Sequence, residues 1–245
     1  MATILITSCV KVSAKLTKLT DEQKRIKLTL QSLKKWKKIA KENKIVICDG
    51  SNYDFTTDCK KIFKNDDIEC LYFQNNYRAV KKFGKGYGEG EIVKFALKNS
   101  VFLKQADFFA KCTGRLWVVN FKKLLSTWNG IFECNFILKR NKFKILVEPQ
   151  RVDTRFYIVK KKFYYKHLLH SYKNVRDEQF NFLEHAFFKS IFKIKKRVGC
   201  YLFQQRPLIV GTSGTDNKKS NYSNFDHPKK KFTYLIKRFI INFLY

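Results

Sequence analysis

Carboxylates are scarce in this chain. Asp and Glu number 20 against 51 Lys and Arg, a net charge of +31 over 245 residues. An excess of that size favours phosphate-rich partners: nucleic acid, anionic lipid or a nucleotide. The lysines are spread along the whole chain, so charge alone does not choose among these. The seven cysteines (9, 48, 59, 70, 112, 134 and 200) form no C-x-x-C pair and have no complementing His pattern. Neither a zinc site nor a disulfide framework is therefore expected. Cys9, Cys48 and Cys112 fall in apolar runs and read as small core residues, a usage that suits a reducing cytosol. No run of ~20 apolar residues is present, so no membrane span is expected, and MATILITSCV lacks the flanks of a secretory signal. Internal repeats and a clean linker are also missing. One domain is expected over 1–225, with halves 1–120 and 121–225, followed by a tail over 226–245.

What is present is a globular composition, 44% hydrophobic and 16% aromatic. Ala2 to Val10 is an apolar, β-branched run that reads as a buried strand. Thr20-Asp21-Glu22-Gln23 then looks like a helix start, and apolar residues recur at helical spacing from Ile26 to Ile39. KIVIC at 44–48 is a second strand with Asp49-Gly50-Ser51-Asn52 as its exit turn, and Ile68 to Phe73 is a third. This β-α-β-α-β order predicts a parallel sheet with helices on its faces.

The stretch 83–120 follows: FGKGYGEGEIVKFALKNSVFLKQADFFAKCTGRLWVVN. It reads as a glycine-rich loop, a helix from Glu89 to about Ala106, a strand to Cys112 and the polar turn Thr113-Gly114-Arg115. A loop opening a helix is a common phosphate site, and a polar turn beyond a buried strand is where open α/β sheets put their chemistry. Further on, a hairpin is expected around Lys139–Lys142, a strand over Asp153–Val159, and helices over Lys162–Tyr172 and Asp177–Phe192. Short strands at Val198–Gln204 and Leu208–Val210 complete the list, and the polar loop GTSGTDN at 211–217 follows.

Three of these features together resemble a nucleotide-sugar glycosyltransferase of the GT-A fold: the Asp49-Gly50-Ser51 exit turn, the segment Gly84–Gly90 with its helix, and FFAKCTGRLWVVN. The last occupies the place of the strand that carries the metal-binding Asp-x-Asp motif. Here the turn has no carboxylate. In this it is similar to bacterial lipopolysaccharide and capsule glycosyltransferases lacking Asp-x-Asp, as are VDTRFYIVKKKFYYKHLL, FLEHAFF and GTSGT. The resemblance implies an α/β, GT-A-like Rossmann-type mixed sheet flanked by helices. It implies a nucleotide-sugar donor, with uridine diphosphate the expected carrier, and a lipid-linked or glycan acceptor. Mg2+ or Mn2+ is not expected to be essential, because fixed cations can neutralise the leaving diphosphate. Arg115, Lys111 and Lys85 are the candidates, and an arginine can grip phosphate bidentately.

Thr7, Ser8, Asp49, Gly50 and Ser51 at the first two strand exits are expected to line the donor site. Glu89, Thr113, Gly114 and Ser213 are expected there too, Glu89 towards a sugar hydroxyl. The resemblance assigns Glu184 as the base that accepts the acceptor proton and His185 to phosphate or proton transfer. Asp153 and Arg155 are placed in the acceptor cleft. Each has an ordinary structural alternative: a helix cap for Asp49, an ion pair for Arg115, a surface or helix-pair residue for Glu184, a core histidine for His185. Lastly, Lys229–Lys231, Lys237 and Arg238 alternate with Phe232, Leu235, Ile236 and Phe239. That pattern predicts a basic amphipathic helix on an anionic membrane surface, at the inner face of the cytoplasmic membrane. A nucleic-acid-binding protein without enzymatic activity is the alternative that charge alone favours, but no RNP-like aromatic motif, zinc finger or helix-turn-helix supports it. Oligomeric state is not readable.

Overall fold

The computed structural model describes residues 2–63, 68–140, 146–194, 201–214, 217, 219–220, 232–236, 238–239 and 241. The first half alternates as expected. Strand β1 (Thr3–Ser8) is buried along its whole length. Helix α1 (Glu22–Ile39) starts where Asp21 accepts a hydrogen bond from the Lys24 amide at 2.7 Å. It buries Ile26, Leu33 and Trp36 on one face. Strand β2 (Lys44–Asp49), helix α2 (Thr56–Ile62) and strand β3 (Ile68–Tyr72) follow. Then come α3 (Tyr77–Phe83), α4 (Lys85–Asn99), α5 (Val101–Gln105), β4 (Phe108–Thr113), β5 (Leu116–Val118) and α6 (Phe121–Ser126).

Six strands form one sheet in the order β3-β2-β1-β4-β7-β6, where β6 is Phe132–Arg140 and β7 is Leu146–Lys160. β1 pairs in parallel with β2 and β4, while β7 is antiparallel to β4 and β6. This is the mixed sheet flanked by helices that the resemblance implied. Two clusters of buried side chains fill its faces, one around Leu5, Phe109, Tyr157 and Phe187, the other around Ile4, Trp36, Phe121 and Phe156. A smaller sheet joins β5 to β8 (Ile209–Thr212) and β9 (Lys219–Ser220).

Several local expectations are corrected. Gly86, Gly88 and Gly90 lie inside α4, which begins at Lys85, so this segment is helix and not an open loop. A Cβ on Gly90 would collide with the Tyr172 side chain, and one on Gly86 would sit 2.8 Å from Leu183 Cβ. Close approach of later elements, Leu183 and Tyr172, accounts for Gly86 and Gly90. The helix expected to about Ala106 breaks at Ser100, whose hydroxyl caps α5. The hairpin expected around Lys139–Lys142 joins β6 to β7, its residues 141–145 lying outside the described residues, and the strand expected over Asp153–Val159 is part of β7, which runs through Pro149 with register shifts against β6. Pro is tolerated at such irregularities.

Of the strand expected over Val198–Gln204, residues 198–200 lie outside the described residues, and 201–204 contributes a single bridge, Cys134 to Leu202. The helix expected over Lys162–Tyr172 begins as α7 (Lys161–Phe163) and continues as a wider helical turn over Tyr164–Leu168, and the one expected from Asp177 begins at Leu183, as α8 (Leu183–Phe192), after Phe180 takes a left-handed turn (φ 55°). In the tail, 232–236 is helical. Tyr234 and Ile241 are buried, and the Tyr234 hydroxyl donates to Phe203 O at 2.8 Å. Lys229–Lys231 and Lys237 lie outside the described residues.

Candidate functional site

The sheet order fixes where a ligand can enter. From β1 the chain proceeds to β2 and β3 on one side, then crosses to β4 on the other. The crevice beyond the carboxyl ends of β1 and β4 is the switch point, where open α/β sheets bind ligands. A cleft of about 190 Å3 lies there. Thr7 and Ser8 of β1, Thr113 at the end of β4, Gly114 and Arg115 beyond it, Thr154 and Arg155 of β7, Glu89 of α4 and Glu184 of α8 all line it. Lys85 and Ser213 do so too. Thr154 was not among the expected residues; the others were, and these positions, remote in sequence, are brought to one place.

The turn after β4 is built tightly. The Gly114 amide donates to Thr7 O at 2.7 Å, and a Cβ there would come within 2.8 Å of that same oxygen. Arg115 then takes a left-handed conformation, φ 69°. For a residue other than glycine this costs on the order of 1–3 kcal/mol and is held only by its surroundings. Here the Thr212 amide donates to Arg115 O at 3.2 Å, and Gly211 (φ 125°) leaves room for that approach.

The result is an Arg115 side chain 6% exposed, with a buried Nε that has no hydrogen-bond partner among the described residues. Burial first, and then repulsion from Arg25, push its guanidinium down to about 9, which leaves it charged at neutral pH. The Ser8 hydroxyl nearby is also buried, with no partner among the described residues.

Arg25 was not anticipated. It projects from α1 into the same cleft and is 5% exposed. Its Nε donates to Cys9 O and its Nη1 to Leu19 O, each at 2.7 Å. Burial lowers its pKa as well. Asn75, whose buried Oδ1 has no partner among the described residues, was likewise missed. Asn75 left no signal, but Arg25 did. In a chain with 41 Lys and ten Arg, it is the one arginine on a lysine-rich helix.

Two acidic residues face the cleft in different settings. Glu89 accepts a hydrogen bond from Lys111, whose ammonium is wholly buried and also donates to Thr113 Oγ1 at 2.9 Å and Thr154 O at 2.8 Å. Glu184 has its pKa raised, first by burial and then by the charge of Glu89, with Lys85 opposing. A carboxyl raised in this way accepts a proton more readily than an ordinary glutamate.

The remaining expected residues do other work. Asp49 is fully buried, and its oxygens accept from the amides of Val10, Ser51 and Tyr53 and from the Ser51 hydroxyl, at 2.6–3.3 Å. The Ser51 hydroxyl in turn accepts from the Lys11 amide at 2.9 Å. With Gly50 packed against Asn75 and Ile92, this turn ties the exits of β1 and β2 together and does not line the cleft. Lys111 lies beneath the cleft floor, not in it. Asp153 stands behind the wall, gripping Arg155 through two bonds of 2.8 and 2.7 Å. That pairing raises the Arg155 pKa. His185 caps its own helix, its Nδ1 accepting from the Phe182 amide at 3.2 Å, and burial lowers its pKa.

A divalent ion does not fit this donor set. The turn that would offer carboxylates offers Arg115, Asp49 is saturated by its own chain, and Glu89 is taken by Lys111. Among the described residues no group of three His, Cys, Asp or Glu converges.

No family model and no curated protein sequence matches the chain. Solved structures do resemble it. One is a protein of Desulfovibrio desulfuricans G20 described as a nucleotide-diphospho-sugar transferase, at 11% identity and a TM-score of 0.47 over 79% of this chain and 77% of that one. The galactosyltransferase LgtC, solved with donor and acceptor sugar analogues, aligns at 9% identity and 0.43 over 78% and 70%. A 4-diphosphocytidyl-2C-methyl-D-erythritol synthase from Anaerococcus prevotii aligns at 10% and 0.44 over 98% and 95%.

Proposed function

We propose that this protein is a glycosyltransferase. It moves a sugar from a nucleotide donor, with uridine diphosphate as the expected carrier, to a lipid-linked or other surface glycan of the lipopolysaccharide or capsule type. The observation that carries this reading is the pairing of Arg115 and Glu184 in one cleft at the switch point between β1 and β4. Breaking the bond from the sugar C1 to phosphate leaves negative charge on the diphosphate, and a buried guanidinium stabilises it most where water is excluded. In an inverting transfer, the acceptor oxygen forms the new bond to C1 and its proton passes to Glu184. Glu89, held by Lys111, is suited to accept hydrogen bonds from sugar hydroxyls, and Arg155 stands at the acceptor side.

The reading includes a reaction without divalent metal, supported by the misfit of the donor set to such an ion. Thermal-shift screening of nucleotide sugars with and without EDTA tests it. Stabilisation and turnover indifferent to EDTA are expected, with both lost in Arg115→Ala and turnover alone lost in Glu184→Gln. A protein that ignores every nucleotide sugar but binds RNA in a salt-sensitive way would reverse the reading.

We place the protein at the inner face of the cytoplasmic membrane, where a lipid-linked acceptor is presented. In the tail, Phe232 and Phe239 are 64% and 69% exposed, and Leu235 is also exposed, beside a lysine-rich sequence. No helix of the described residues is long and apolar enough to cross a bilayer. Because Tyr234 and Ile241 belong to the core, removal of the tail would damage the fold. Phe232→Ser with Phe239→Ser is the cleaner variant, and undiminished binding to anionic liposomes would refute the attachment.

A further inference from the structure

Arg25 and Arg115 arrive from unrelated parts of the chain, a helix near the start and a turn in the middle. Gly214 shows how closely they converge. A Cβ built there would lie 2.5 Å from Arg115 Nη2 and 3.5 Å from Arg25 Nη1. Two guanidinium groups, each buried to better than nine-tenths, therefore meet over one glycine at the wall of the cleft. Neither forms an ion pair with a carboxylate among the described residues; the three pairs there are Lys15–Glu178, Lys111–Glu89 and Arg155–Asp153.

Like charges at close range in a water-poor site repel strongly. Such an arrangement persists when an anion normally sits between the charges. Arg25 commits two of its five N–H donors to Cys9 O and Leu19 O, which fixes its plane and leaves the others to a ligand. Arg115 makes no side-chain hydrogen bond among the described residues, and Ser8 adds an unused hydroxyl.

We propose that Arg25 and Arg115 form a two-guanidinium clamp for a diphosphate, one arginine to each phosphoryl group, with the Ser8 hydroxyl as an added donor. This rests on the donor-site reading and deepens it by adding Arg25 to Arg115: the pair fits the nucleoside diphosphate carrier already expected and does not fit a sugar carried on a single phosphate. One planar fork can satisfy two oxygens of a single phosphoryl group, so a pair of forks is matched to two adjacent groups.

The test uses inorganic pyrophosphate and orthophosphate as probes, titrated calorimetrically into the 245-residue protein in EDTA. Wild-type protein is expected to bind pyrophosphate at least tenfold more tightly than orthophosphate. Arg25→Gln and Arg115→Gln should each weaken pyrophosphate at least tenfold and remove most of that preference, and the double variant should lose less than the product of the two. Gly214→Ala, which pushes on Arg115 Nη2 and leaves both charges in place, should weaken pyrophosphate more than orthophosphate. It covers the case in which Arg25→Gln does not fold.

Equal affinity of wild-type protein for the two probes would overturn the clamp. So would an Arg25→Gln protein that binds pyrophosphate like wild type. In either case, stabilisation by nucleotide sugars would leave the donor-site reading standing. Failure to bind pyrophosphate, together with no response to any nucleotide sugar, would remove both.

Discussion

Lys111 and Glu89 form a pair in which the ammonium is completely buried and the carboxylate looks out into the cleft. Thr113 and Thr154 hold the same ammonium, so one lysine orients groups from α4, β4 and β7. Lys111 is a positioning residue, and its removal has a defined cost. Lys111→Met leaves Glu89 without its countercharge and is expected to destabilise the fold by about 3–5 kcal/mol. Pairing it with Glu89→Met should recover much of that loss. Urea unfolding of the two single variants and the double checks this, and fully additive losses would show that the pair is not coupled.

Arg115 should behave in the opposite way. It is buried, its Nε has no partner among the described residues, and it is held in a left-handed turn. Arg115→Gln removes a desolvated charge, so stability in the absence of ligand should hold or rise by roughly 1 kcal/mol. Donor affinity should fall roughly tenfold to a hundredfold, the value of one or two charge-assisted hydrogen bonds. A structural arginine would give the reverse: lost stability with binding unchanged.

The raised pKa of Glu184 predicts an acid limb in the pH profile of kcat/KM above the ordinary glutamate value of 4.5. The limb should vanish with the activity in Glu184→Gln, while donor binding persists. A profile whose acid limb stays at or below that value would argue against Glu184 as the base.

Glu133 offers a stability measurement free of catalysis. It is 2% exposed on β6, its Oε2 has no partner among the described residues, and burial pushes it up to about 8. The folded state therefore holds a proton that the unfolded state releases near 4.5. Stability from this group is full below pH 4.5 and is lost as pH rises towards 8. Glu133→Gln should remove that slope and stabilise the protein at pH 8, by about 1–3 kcal/mol for relief of an unpaired buried carboxylate. Denaturation at pH 5 and pH 8 separates the two behaviours.

Gly90 sets propensity against packing. Alanine gains about 1 kcal/mol over glycine inside a helix. Overpacking of a well-filled contact costs about 1–3 kcal/mol, and here the added methyl meets the Tyr172 side chain head-on. The net effect of Gly90→Ala is expected to be destabilising. A more stable variant would mean that Tyr172 yields freely.

The β-α-β-α-β start was legible because runs such as KIVIC and the Asp21 cap are local signals that the fold does not override. The gathering of Thr7, Arg115 and Glu184 followed from strand order. The glycine-rich segment misled because its reason is tertiary: α4 keeps its glycines to admit Leu183 and Tyr172, and a single sequence does not display that contact. Asp49 was placed at the right turn, but nothing local told that four donors of its own chain would saturate it. Arg25 was obscured by the abundance of positive charge around it. Its identity as arginine, in a chain that otherwise reaches for lysine, was the available clue.

The glycine face of α4 has one more consequence. Asp177 accepts the Lys85 amide at the start of α4, Leu183 rests on Gly86, and Tyr172 rests on Gly90. The span from 172 to 183 is thus clasped along the helix that bears Glu89, and α8, with Glu184, begins at the end of that clasp. The gap between the two carboxylates is set by bare backbone, with no side chain to act as a spacer. A larger residue at position 86 would work as a shim, widening the gap while leaving every polar group of the cleft intact. On the donor-site reading, the room between Glu89 and Glu184 is expected to depend on position 86, which does not line the cleft.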